Sequence, residues 1–274
     1  MMYDQIQTAA AHIREAYKGE MPKIAVILGS GLAGLADALE DAAVFPYGDL
    51  PGFPVTTVIG HTGKLYIGKL EGVPLICMQG RVHGYEGHDQ QMLGFPTRVL
   101  AALGVETLFI TNASGSLDVD AGPGSLMMIT DHINFSGMNP LVGVNDDRLG
   151  PRFPDMGDAW NKKLRKKLAK VAEKLDIKLH KGVYIGVKGP NFETPAEIRA
   201  FRTWGAGCVG MSTIPEVLTA NHAGMKVVGV ASITNYGAGM VDEVLNHVDT
   251  LEFAAKAAVN LERLIRAFVK EISA

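Results

Sequence analysis

Cysteine is scarce in this chain: Cys77 and Cys208 are the only two in 274 residues, and both sit in apolar, strand-like runs. That excludes a disulfide scaffold and fits buried free thiols in a reducing compartment. Long hydrophobic runs are missing too. None approaches the roughly 18 residues that a membrane span needs, so no membrane partner is expected. The first twenty residues place Asp4, Arg14 and Glu15 on a helical pattern, without the apolar centre of a signal peptide. A cytoplasmic protein is the expectation. Charge is balanced, with 20% charged residues and a formal net charge of -3, and no nucleic-acid partner is expected. No repeat, low-complexity stretch or interdomain linker interrupts the chain. Residues 1–274 read as one domain, and 47% hydrophobic residues supply a sizeable core.

Several catalytic signatures are also absent. There is no G-x-S-x-G nucleophile elbow and no H-E-x-x-H zinc helix. His83 and His88 match no helical ligand pair and have no cysteine near them in sequence, so no metal is expected.

What is present begins with VILGSGLAG at 26–34, between an apolar strand over 23–28 and a helix through about Glu40. The spacing G-x-G-x-x-G raises three readings: a dinucleotide site, a structural tight turn, or a small anion held by backbone amides and a helix start. A dinucleotide site needs an acid at the end of the second strand. Asp49 has the distance but stands in the turn-rich YGDLPGFP. Residues 55–79 read as short strands, VTTVI, KLYIGKL and VPLICMQ, with the short Gly-containing joints of antiparallel neighbours. The loop lacks a Gly-Lys-Ser/Thr ending, which favours an oxyanion such as inorganic phosphate over a triphosphate. Gly29 and Gly31 would make the turn, Ser30 would add a hydroxyl, and Gly34 would let the helix pack closely.

Further along, the pattern predicts a helix over 89–103 bent or interrupted by Pro96, a strand over 106–111, then the loop NASGSL and a strand over 125–130. Residues 136–158 read as loop. Asp158 would cap a helix to Leu175 whose apolar line is Trp160, Leu164, Leu168, Val171 and Leu175, and its lysines and arginines read as a solvated face. Strands follow over 182–189, 206–211 and 226–234. Thr194-Pro195-Ala196-Glu197 has the form of a capping box. A last helix carries apolar residues from Leu251 to Ile272 at three- and four-residue steps.

The sum is an α/β fold with a mixed sheet. Ser30, Arg81, Asn112, Glu193, Ser212 and Asn235 fall at or just beyond predicted strand C-termini, the edge where α/β sheets bind ligands. The loop GRVHGYEGH adds His83, Tyr85 and Glu86. Together these residues offer a guanidinium fork for phosphate, an amide and an acid for a polar heterocycle, and Phe192 and Met211 for apolar packing. No activated nucleophile is among them, so the nucleophile is expected to be a substrate.

The segments ILGSGLAGLAD, GHTGKL, QGRVHGYEG, TNASGSL, DHINFSG, GPRFPDM, GPNFETPAE, VGMSTIPE and SITN follow one another from about residue 22 to 270. In this order they closely resemble the trimeric purine nucleoside phosphorylases. That family splits purine nucleosides with inorganic phosphate on one α/β domain, whose mixed, partly barrel-like sheet is flanked by helices. The resemblance implies that Ser30, Arg81, His83, Ser212 and the backbone amide of Ala113 hold phosphate, with His61 close by. It implies Tyr85 and Met211 at the ribose and His247 at the 5′-hydroxyl. Phe192 would pack on the base, Glu193 would bind its N1–H edge, and Asn235 its O6/N7 edge. Phe153 would reach into the neighbouring subunit's site of a homotrimer. Asn235, Glu193 and His83 are the implied catalytic residues, phosphate is a co-substrate, and no cofactor is implied. Ser114 and Ser116 stand where the family often has Ala and Gly, and would bring hydroxyls near the phosphate. The competing readings are a 5′-methylthioadenosine phosphorylase, which usually has Asp at position 235, an NAD-dependent dehydrogenase, and a nucleoside-binding module without turnover.

Overall fold

A computed structural model describes residues 2–29, 32–58, 62–241 and 247–273, without the side chains of residue 33 and residues 247–256. β1 (Ile24–Leu28) is buried along its whole length. Ile24, Val26 and Leu28 enter one hydrophobic cluster and Ala25 and Ile27 the other, as the two-residue period of a central strand requires.

After the glycine loop, the short α2 (Ala33–Asp37) leads to an outer strand, β2 (Glu40–Pro46). β2 pairs antiparallel with β3 (Lys64–Leu70), and β3 antiparallel with β4 (Val73–Gln79). β4 lies parallel to β1, and β1 parallel to β5 (Thr107–Ser116). From β5 the sheet closes on itself. β9 (Lys226–Tyr236) runs parallel to β5, and β6 (Leu126–Asn134) antiparallel to β9. β7 (Leu179–Gly186) runs parallel to β6, and β8 (Ala206–Gly210) parallel to β7. β8 then meets the end of β5 antiparallel. The result is a mixed sheet with a barrel of β5, β8, β7, β6 and β9 and a wing of β1 to β4.

Helices cover both faces. α1 (Met2–Ala16), α4 (Phe95–Leu103) and α7 (Ile214–His222) bury apolar residues in one cluster. α2, α5 (Lys162–Lys174) and α8 (His247–Ser273) do so in the other. Ile198 and Phe201 of α6 (Pro195–Thr203) pack with Ile185 and Val209 of the barrel. No described helix is long and apolar enough to cross a membrane. A dinucleotide fold would set the strand after the glycine loop parallel and adjacent to β1. Here that strand is β2, at the far edge and antiparallel to its neighbour.

Several boundaries differ from the sequence expectation, each for a physical reason. Residues 55–58 of VTTVI form no strand. Thr57 gives its backbone N–H and hydroxyl to Glu86 Oε2, at 2.6 and 2.7 Å, instead of to a neighbouring strand. β2 occupies a segment expected as helix end and loop; it is a half-exposed edge strand with a register shift between Glu40 and Ala43. The helix over 89–103 is two, α3 (Gln90–Leu93) and α4, broken at Gly94. A side chain at Gly94 would lie 2.4 Å from Thr219 Oγ1 of α7. Pro96 sits instead in the first turn of α4, where its missing N–H is not needed. Asn161, not Asp158, caps α5; Asp158 steadies the cap by accepting from Asn161 Nδ2 and the Lys162 amide. Trp160 lies outside that helix and packs in the opposite cluster, over Gly229.

β5 is the largest departure. NASGS, expected as a loop, continues the strand to Ser116. The turn-forming residues are polar, but they are buried and bonded to one another inside the barrel. The glycine loop changes too. A Cβ on Gly29 would stand 2.9 Å from Asn112 Cα, whereas one on Gly34 would meet only Glu262 Oε2 at 4.0 Å. Gly29, not Gly34, is therefore the close approach. Gly29→Ala should lower stability by about 1–3 kcal/mol through overpacking against β5. Gly34→Ala should leave it unchanged or slightly raised, read by denaturant unfolding of the two variants side by side.

Candidate active site

The register of the sheet brings the candidate loops together. Leu28 of β1 lies level with Gln79 of β4, so the segments starting at Gly29 and Gly80 leave the sheet side by side. Along β5, the pairing with β1 stops at Ile110 and that with β8 starts at Gly115. Between them the strand edge faces neither, and Arg81 reaches into this gap. Its Nη1 donates to the Thr111 carbonyl at 2.8 Å. Alternate residues of a strand aim their backbone groups to the same side. The Ala113 amide therefore faces the side that the Thr111 carbonyl faces.

Arg81 is only 5% exposed. A buried cation needs a partner, and Glu216 supplies it from α7, with Oε1 2.8 Å from Arg81 Nε. Ser212 Oγ lies 3.5 Å from Arg81 Nη1. The backbone of Ser212 is anchored at both ends by Tyr184: its N–H donates to the phenol oxygen at 3.2 Å, and the phenol donates to its carbonyl at 3.1 Å. Gly210 makes room for that phenol, since a Cβ there would lie 2.6 Å from it.

The loop after Arg81 folds around Glu86. Its Oε1 accepts from the His83 amide at 2.7 Å and contacts His83 Nδ1 at 3.1 Å, closing a capping box over a single turn. Burial works against ionisation of this carboxyl. The hydrogen bonds from His83 and Thr57 outweigh it and hold the pKa down to about 2. The Tyr85 ring stacks on His83 with centroids 4.7 Å apart. Burial, with the Glu86 charge behind it, pushes the Tyr85 phenol up to about 12.

On the opposite side, Asn235 lies near the end of β9 beside Gly115, where a Cβ would stand 3.0 Å from its Nδ2. Its amide is held by Thr234 Oγ1, which donates to Oδ1 at 2.9 Å, and by the Tyr236 carbonyl, which accepts from Nδ2 at 2.9 Å. The chain beyond it runs along α6: a Cβ on Gly239 would lie 2.8 Å from Pro195. Glu193 just precedes that helix, whose Thr194–Glu197 capping box is formed as the sequence predicts. Burial, helped by the Glu197 charge, raises the Glu193 pKa against a bond from its own backbone amide. Met211 packs under the same loop, where a Cβ on Gly189 would collide with its sulfur.

Arg81, Ser212 and the Ala113 edge thus converge, His83 and Tyr85 flank them on the same loop, and Asn235 lies across β5. Two residues are open to solvent: Phe153 is 87% exposed and Phe192 43%. Asn112 is not at a strand end but inside β5, buried. Neither serine hydroxyl of TNASGSL faces the gap: Ser114 donates to Asn112 Oδ1 and Ser116 to the Asp118 carbonyl. Ser30, His61 and the side chain of His247 lie outside the described residues. Glu216 and Tyr184 are functional neighbours that sequence reasoning missed. Glu216 had a signal, an acid inside the otherwise apolar IPEVL, where a buried carboxylate demands a cation. Cys77 and Cys208 are buried free thiols as expected, both raised by burial.

A family model described as Phosphorylase superfamily matches residues 23–270. The chain is 50% identical to purine nucleoside phosphorylase 1 of Bacillus subtilis, over 98% of this chain and 99% of that one. It is 43% identical to the purine nucleoside phosphorylase of Mus musculus, over 98% and 96%. Among solved structures, isoform 2 from Schistosoma mansoni in complex with cytosine and ribose-1-phosphate aligns with a TM-score of 0.94 and 38% identity, over 98% and 97% of the chains.

Removing the partner of the buried cation is the sharpest structural test of this site. Glu216→Ala should cost about 3–5 kcal/mol of stability, the scale for stranding one half of a buried pair. Glu216→Gln keeps an acceptor and should cost less, both read from urea unfolding curves.

Proposed function

The chain belongs to the phosphorylase superfamily, and on that premise we propose that it is a purine nucleoside phosphorylase acting on 6-oxopurine nucleosides such as inosine and guanosine. The observation that carries this reading is the buried Arg81 beside Ser212, with the Asn235 amide across β5 near the end of β9. Phosphate would bind at the β5 gap, to Arg81, His83, Ser212 and the Ala113 amide, with Ser30 and His61 as further donors. Tyr85, Met211 and His247 would hold the ribose, and Phe192, Glu193 and Asn235 the base. The high exposure of Phe153 and Phe192 fits a site completed by a neighbouring subunit, so the assembly proposed is a homotrimer. A cytoplasmic location and the absence of a cofactor belong to the same reading.

The chemistry follows from charge. As the bond from C1′ to N9 breaks, its electron pair leaves with the purine, and the sugar becomes oxocarbenium-like. A phosphate oxygen attacks C1′ from the face opposite the base and forms the new C–O bond, so the product is the α-1-phosphate. Asn235 stabilises the negative charge growing on the base at O6/N7, and Glu193 accepts from N1–H. No protein nucleophile takes part. Directed donors of this kind are worth about 2.7–4 kcal/mol of barrier each.

The deciding measurement is base release from inosine, guanosine, adenosine and methylthioadenosine with and without phosphate. Inosine and guanosine should react only when phosphate is present. Release without phosphate would make the enzyme a hydrolase, and a preference for methylthioadenosine would move it to the other phosphorylase class. Asn235→Ala should lower kcat on inosine by about two to three orders of magnitude. The raised pKa of Glu193 gives a pH test. As pH falls, Glu193 takes up a proton above the ordinary glutamate value of 4.5 and can no longer accept from N1–H. The KM for inosine should therefore rise in that window, and the rise should be missing in Glu193→Gln.

A further inference from the structure

Thr213 sits between two halves of the phosphate side, in a conformation that threonine rarely adopts. Its φ is 73° and ψ −47°, and the Ile214 amide donates to the Ser212 carbonyl at 2.8 Å. This is a γ-turn of positive φ, rare and strained for a β-branched residue. Thr213 is fully buried, and its hydroxyl lies against two neighbours. One is Asn112, whose Nδ2 donates to Thr213 Oγ1 at 2.9 Å. The other is Ser212, with the two hydroxyl oxygens 3.0 Å apart.

The polarity of this chain can be worked out from its inner end. Ser114 donates its hydroxyl proton to Asn112 Oδ1 at 2.8 Å, which turns the Asn112 amide so that Nδ2 faces Thr213. Thr213 Oγ1 thus receives a proton and has one to give. Its remaining oxygen partner is Ser212 Oγ; either hydroxyl can donate across that contact, and the relay proposed below has Thr213 donate and Ser212 accept. On its other side Ser212 Oγ meets the N–H of a guanidinium, Arg81 Nη1, at 3.5 Å. A serine hydroxyl has one proton and two acceptor positions. With donors at both inner faces, the Ser212 proton is turned outward.

We propose that Ser114, Asn112 and Thr213 form a one-way hydrogen-bond relay that presets the Ser212 hydroxyl as a donor to an oxyanion, making Thr213 and Asn112 positioning residues for phosphate. The inference rests on the proposed placement of Ser212 at the phosphate. It gives the strain at Thr213 a role, since a relaxed turn would carry the hydroxyl away from one of its two partners. Ser114, a departure from the resemblance, lies at the inner end of the relay rather than in the phosphate's surroundings.

Steady-state kinetics with phosphate and inosine varied separately test the relay. Thr213→Val keeps shape and loses the hydroxyl, and should raise the KM for phosphate about tenfold or more, the scale of a hydrogen bond to a charged partner, with the KM for inosine unchanged. Thr213→Ser should restore the wild-type value. Thr213→Ala, which fits the turn more easily, should behave like Thr213→Val and serves if the valine variant does not fold. Ser212→Ala should raise the same KM, and the double variant Ser212→Ala/Thr213→Val should be no worse than Ser212→Ala alone, because Thr213 acts only through Ser212. A wild-type phosphate KM in the Thr213 variants, or losses that multiply in the double variant, would overturn the relay. An unchanged phosphate KM in Ser212→Ala alone would overturn the placement of Ser212, and the relay with it.

Discussion

A guanidinium buried as deeply as Arg81 is the constraint on which the arrangement of this protein depends. Without a counter-charge and good acceptors it would favour an open or unfolded chain. Glu216 and the Thr111 carbonyl meet that need. The requirement then propagates. Glu216 must sit on α7, and α7 must start immediately after β8, with Thr213 as the joint. Ser212 and Glu216 are therefore fixed by one short segment, and the Ser212 hydroxyl and the counter-ion of Arg81 cannot move independently. Because Glu216 neutralises much of the Arg81 charge, attraction for the proposed phosphate would rest on donor direction more than on net charge. A site of that kind depends on preorganised dipoles, the arrangement that works best where water is excluded.

The gap that Arg81 fills follows from the sheet. β5 belongs to both the wing and the barrel, and no single strand can flank it along its whole length on that side. β1 covers its first part and β8 its last. The break between them exposes backbone groups at the point where the glycine loop, the Arg81 loop and the end of β8 meet. Gly29 is what lets the first of these approach, since its Cα side is closed by Asn112. A ligand edge of this type arises wherever neighbouring strands diverge from a common one, as at the switch points of open α/β sheets.

Much of this was legible in the sequence, because turns and caps carry local chemistry. The strand before the glycine loop, the capping box at Thr194 and the hairpin of β3 and β4 follow from such signals. The strand ends at Arg81, Ser212 and Asn235 were equally readable. What failed was whatever depended on a partner far away in sequence. NASGS reads as a loop because polar residues ordinarily stay in water; in the barrel Ser114 donates to Asn112 and Asn112 to Thr213. VTTVI has the composition of a strand, yet the Glu86 carboxylate takes its backbone hydrogen bond. Glu216 was missed because its partner, Arg81, is 135 residues away. Trp160 fits the helical period of α5 but falls into the other cluster, drawn by the space over Gly229.

The two halves of the proposed site differ in how they are held. On the phosphate side the partners are buried and interlinked: Asn112, Thr213, Tyr184 and Glu216, on two strands, a turn and α7, are each less than one-tenth exposed. On the base side Glu193 and Phe192 stand on a loop ahead of α6, and the phenylalanine is open to solvent. That division suits the reaction. The nucleophile is small and carries the same charge whatever nucleoside is cleaved, so a rigid cradle for it costs nothing in scope. The base and sugar are the larger part of the proposed substrate, and their binding would cover the exposed Phe192, excluding water where it would compete with phosphate.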